Sequence, residues 1–66
     1  MNLFSPPKKV SKLYISDKEH SFILLSLFIF KAHKEKWSNN DIKKVVEEAR
    51  KSNYKHLIKT LKEHSG

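Results

Sequence analysis

The sequence predicts an all-α fold, a three-helix domain over residues 16–66 preceded by an extended arm over 1–15. Three observations carry that reading. Two segments, Ile42 to Ala49 and Tyr54 to Leu61, place apolar residues at i, i+3, i+4 and i+7, the stripe of an amphipathic helix. Each candidate helix is preceded by a residue able to cap it. Between Phe22 and Phe30 only Ser26 is polar, a run whose Lys, His and Glu continuation suits a helix better than a strand.

Helix one is expected over about 17–36. Ser16 and Glu19 have the spacing of a capping box, and Asp17 and Glu19 suit the positive end of a helix dipole. The competing reading is a strand, because Phe, Ile and Leu dominate the run. Helix two is expected over about 39–51, where Ser38 caps and Trp37 staples to Ile42 across the first turn. Helix three is expected over about 54–64, after the Ser52-Asn53 break, with the chain fraying at His64-Ser65-Gly66. In the first segment the two prolines of Ser5-Pro6-Pro7-Lys8-Lys9 forbid a helix interior and favour an extended basic arm. Val10, Leu13, Tyr14 and Ile15 are apolar enough to dock on the core.

Helix one has no division into a dry and a wet side. At about 100° per residue its eight apolar side chains from Phe22 to Phe30 point all round the axis, so two neighbouring helices cover about half of them. Two covers are available for the rest. Either the segment from Val10 to Ile15, with Leu3 and Phe4, folds across that side, or a second copy of the chain does. The second is preferred, as a homodimer with Phe22, Ile23, Leu27 and Phe30 at the interface, because a patch this apolar is an association site by default.

Composition narrows the function. With 14 Lys and Arg against 7 Asp and Glu, the net charge is +7, which favours polyanionic partners through counterion release. Arg50 is the single arginine, so phosphate binding is better supported than the bidentate reading of guanine. A general solubilising role for the lysines is the bland alternative. Cysteine is absent, which excludes disulfides and thiolate chemistry and fits a reducing cytoplasm. The one glycine is Gly66, which leaves no phosphate-cradling loop within the chain. No nucleophile stands beside a base, so no enzymatic activity and no cofactor are expected. His20, His33, His56 and His64 lack metal-ligand spacing and read as exposed or half-buried imidazoles, with no metal expected. The apolar run would reach only about 13 Å as a helix against a hydrocarbon core of about 30 Å, so it cannot span a membrane.

The chemistry therefore points to a binding surface. Lys55, Lys59 and Lys62 fall at i, i+4 and i+7 on helix three, with His56 and Thr60 beside them and Arg50 and Lys51 across the preceding turn. Ser16-x-x-Glu19, then Ile23-Leu24 and Leu27, then Ser38 with Asp41-Ile42 and a last amphipathic helix resemble the helical core of winged-helix and other helix-turn-helix regulators. The resemblance implies a DNA-binding regulator. Helix two would cross the backbone, and helix three would enter the major groove with Lys55, His56, Lys59 and Thr60 facing the duplex. Helix two is longer than in that pattern, and the turn lacks its glycine. DNA is expected before RNA, because Phe22, Phe28, Phe30 and Trp37 sit where the core needs them rather than as stacking platforms. The alternative is a non-enzymatic interaction module, an inhibitor or adaptor that docks helix one into a protein partner.

Overall fold

A computed structural model describes residues 2–66 and contains three helices, α1 (Ser21–Lys34), α2 (Asn39–Ala49) and α3 (Tyr54–Glu63). Among the described residues, backbone pairing beyond the helices amounts to one isolated parallel bridge, between Val10 and Ser65. The helical reading of the apolar run holds, and the strand reading falls.

The second and third helices begin where their caps predict. Ser38 Oγ accepts from the Asp41 amide at 3.2 Å, and Asn53 Oδ1 accepts from the His56 amide at 3.0 Å. Trp37 and Ile42, the two ends of the staple, are both buried. α2 stops at Ala49 rather than Lys51, with Arg50 as its C-cap.

The start of α1 is a correction. Ser16 does not cap a helix at 17; its hydroxyl accepts from the Lys18 amide, two residues on, and so closes a local turn. The carbonyl of Glu19 accepts the Tyr54 hydroxyl, and the helix opens at Ser21 under His20, whose Nδ1 accepts from the Phe22 amide at 3.1 Å. Burial of Ile15 pins the chain just before this turn, so Asp17 to Glu19 bridge from that anchor to the helix start in solvent.

The end of α1 is set by left-handed backbone at Lys36, φ 65°. The Trp37 amide reaches the Ala32 carbonyl and the Lys36 amide the His33 carbonyl, the pair of bonds that closes a Schellman motif. An L-residue with a Cβ is strained in that region, whereas glycine is not. Lys36→Gly is therefore expected to raise stability by about 0.5–1 kcal/mol, after the added freedom of the unfolded chain is subtracted, as a urea titration would measure.

The core gathers Leu24, Leu25, Phe28 and Ala32 of α1, Ile42, Val45 and Ala49 of α2, and Leu57, Ile58 and Leu61 of α3, with Trp37 closing one end. Phe28 meets Trp37 edge to face at 5.6 Å, and Trp37 meets Phe4 in the same way at 5.7 Å.

Phe4 belongs to the N-terminal segment, which packs far more than an arm would; Met1 lies outside the described residues. Val10 and Ile15 are fully or nearly fully buried, and Leu3, Phe4 and Leu13 pack against the core. Asn2 links its own segment to the end of α3, donating from Nδ2 to the Lys8 and Glu63 carbonyls and accepting at Oδ1 from the Phe4 and Lys8 amides. The Val10 amide donates to the His64 carbonyl, and the Gly66 amide donates to Val10, each at 2.8 Å. The expected fraying at His64-Ser65-Gly66 is thus overturned: His64 and Ser65 are buried beneath the segment that bridges to them.

His64 is the polar centre of this junction, and it too corrects the expectation of an exposed or half-buried ring. Its Nδ1 donates to the Thr60 carbonyl at 2.8 Å and its Nε2 accepts from the Leu3 amide at 3.0 Å, which together specify the neutral Nδ1–H tautomer. Burial pushes its pKa below 6.5, against the opposing effect of the Thr60 carbonyl.

Candidate nucleic-acid and association surfaces

The helical framework divides the sequence-predicted basic site in two. Arg50, Lys51, Lys55, Lys59 and Lys62 are exposed. On a helix of 3.6 residues per turn, Lys55, Lys59 and Lys62 lie within a sector of about 60°. No ion pair joins these three to another described residue, whereas Lys51 lies 3.6 Å from Glu48 Oε1. The other two predicted residues are engaged within the fold. Thr60 is buried, and its hydroxyl donates to the His56 carbonyl at 2.8 Å. His56 is half-buried and donates from Nε2 to the carbonyl and the carboxylate of Glu48, each at 3.0 Å, which ties α3 to α2. The first correction follows from helix geometry, since Thr60 lies about 100° from Lys59 and rolls onto the core side, whereas the second is a contact of His56 with Glu48 of α2.

A shallow groove runs along the lysine face, lined by Asp17, Tyr54, Lys55, Ile58, Lys59 and Lys62, with Asn53, His56 and Glu63 completing its wall. Its walls combine Tyr54 and Ile58 with the aliphatic stems of the lysines, whose charged ends stay in water. Asp17 and Tyr54 were not among the predicted site residues. Asp17 reaches the rim because the 17–19 turn replaces the expected first turn of helix one, and no pattern in the sequence announces that.

Lys8 Nζ is 2.6 Å from Asp41 Oδ2 and lies 4.7 Å from the centroid of the Trp37 ring, so it serves the fold. Its hydrogen bond holds the Asp41 carboxyl below its usual range, and the Ser11 hydroxyl and amide do the same for Glu35.

The second surface is apolar. Phe22 is 69% exposed, Phe30 67%, Ile23 47% and Leu27 44%, so the four predicted interface residues all lie in solvent. The N-terminal segment packs around Trp37 and His64 and leaves them uncovered, which removes the intramolecular cover. For Phe22 and Phe30 this also overturns their placement in the core. In helical projection the buried residues Leu24, Leu25, Phe28 and Ala32 fill a sector of about 100°, while Phe22, Ser26, Phe30, Ile23 and Leu27 fill another of about 140°. Ser26, exposed and midway between Phe22 and Phe30, sits within this patch. It was passed over in the sequence, although its being the one polar residue of the run was the available signal.

Among the described residues no three His, Asp or Glu side chains cluster as metal ligands would, and no helix is long and apolar enough to cross a membrane. Compared with known proteins, the chain matches no family model, no curated protein and no solved structure.

Proposed function

We propose that the protein is a small DNA-binding regulator that engages the phosphate backbone by charge through the outer face of α3, acting as a homodimer in the cytoplasm. The observation that carries this reading is the row of Lys55, Lys59 and Lys62, exposed on one side of α3 without an ion pair to another described residue, in a chain of net charge +7. Arg50 and Lys51, exposed in the preceding turn, add to the positive charge near this helix. With Thr60 buried and His56 held by Glu48, little on this face suits base edges, so the reading favours weakly sequence-specific binding.

The test is an anisotropy titration of a labelled duplex at about 50 and 200 mM salt, comparing the wild type with the triple variant Lys55→Gln, Lys59→Gln, Lys62→Gln. Three lost phosphate contacts should reduce the steepness of log K against log salt by about 2.7, which makes the two proteins differ by about 40-fold in their loss of affinity between those salts. Equal salt dependence in the two proteins overturns the assignment of the surface, and single-stranded RNA in place of the duplex tests the preference for DNA.

A second reading rests on the exposed Phe22, Ile23, Leu27 and Phe30. An interaction module would use that patch to dock into a groove on a larger protein, and its basic face would then serve solubility.

A further inference from the structure

We propose that the apolar face of α1 is occupied by the same face of a second copy, the two helices packed antiparallel about a twofold axis at Ser26. This inference rests on the homodimer of the preceding section and deepens it by assigning direction and register. It does not depend on nucleic-acid binding, and its test uses none.

Three features of the face select a second copy. The first is position: Phe22 and Phe30 lie one turn before and one turn after the midpoint Ser26. A twofold axis there sets Phe22 of each copy against Phe30 of the other, so every large ring meets a ring. Ser26 is the smallest side chain of the exposed sector, which lets the backbones approach at the crossing.

The second feature is charge. The approach to α1 carries exposed Asp17, Lys18 and Glu19, net negative by one, whereas its last turn and C-cap region carry Lys31, Lys34, Glu35 and Lys36, net positive by two. Antiparallel packing brings unlike ends together and opposes the two helix dipoles. Parallel packing would gather six lysines at one end.

The third feature is area. A whole Phe side chain presents on the order of 200 Å², so the exposed fractions of the four apolar residues amount to about 400 Å² per copy. That patch reaches the size that marks association sites on monomers, and about 800 Å² shared between two copies falls short of the roughly 1,200 Å² of a standard interface, so the dimer is a weak, concentration-dependent one.

The absence of cysteine makes the geometry measurable. Helix axes about 8–10 Å apart with Cα atoms at a radius of about 2.3 Å bring the two Ser26 Cα atoms to about 3.4–5.4 Å, and the wider of these separations lie within the span of a disulfide. In sedimentation from about 1 µM to 1 mM the wild type should pass from monomer to dimer, while Phe30→Glu stays monomeric with an unchanged circular-dichroism melt in dilute solution. Under mild oxidation Ser26→Cys should form a covalent dimer at least about tenfold faster than Ser38→Cys, whose residue lies away from the patch. A mixture of Phe22→Cys and Phe30→Cys should cross-link to each other faster than either does to itself. A wild type that stays monomeric throughout the concentration range overturns the dimer. Preferential self-linking of Phe22→Cys overturns the antiparallel register, and neither result bears on the duplex titration.

Discussion

Phe28→Ala is expected to unfold the chain at room temperature. Phe28 has no exposed surface, sits in the middle of the buried sector of α1, and meets the Trp37 ring edge to face at 5.6 Å. Truncating a buried Phe to Ala costs about 3–5 kcal/mol, as lost transfer energy and as a cavity that close packing does not refill. A core of this size supplies no more than about 3–5 kcal/mol of net stability, so the loss equals the whole margin. The control is Phe30→Ala in dilute solution, where exposed surface predicts a cost under about 0.5 kcal/mol. Thermal melts followed by circular dichroism compare the two. If both variants melt alike, the division of α1 into a buried and an exposed sector is wrong.

The second large effect concerns His64. Replacement by Ala should cost about 2–4 kcal/mol, because the Leu3 amide and the Thr60 carbonyl lose their buried partner and a void opens beside Phe4. The pH dependence gives a sharper test. His64 is held neutral, with a pKa below the 6.5 of a free imidazole, so the unfolded chain binds the proton more readily than the folded one. The stability due to this difference is complete above about pH 6.5 and is lost as pH falls through that value toward the lower folded pKa. Protonation at Nε2 would also abolish its capacity to accept from Leu3, loosening the N-terminal segment from α3. Urea titrations at pH 7.5 and 5.5 should therefore show a stability loss in the wild type that is smaller in His64→Leu, whose side chain cannot titrate. Equal losses in both proteins would assign the acid sensitivity to other groups.

The local signals that proved readable share one property: the interacting groups are a few residues apart. Ser38 with Asp41, Asn53 with His56, and the stripes of α2 and α3 need only helical geometry, and all stand where the sequence places them. The Ser16 to Glu19 box had the same spacing and failed, because the hydroxyl found a nearer amide at Lys18 and Tyr54 took up the Glu19 carbonyl from 35 residues away. The same distinction explains the basic face. Lysine spacing on α3 followed from the sequence, whereas the withdrawal of His56 toward Glu48 is a contact between helices.

By itself the sequence determined three helices, two of their caps, the stripes that α2 and α3 bury, and an apolar α1 too greasy for two neighbours to cover. Tertiary structure alone decided where the N-terminal segment goes, and with it the burial of Val10 and His64 and the capture of Lys8 by Asp41. It also decided which flank of α1 stays wet. Periodicity encodes the angle between side chains on one helix but not the direction from which a distant segment arrives, because the latter depends on contacts across nearly the full length of the chain, as between Leu3 and His64.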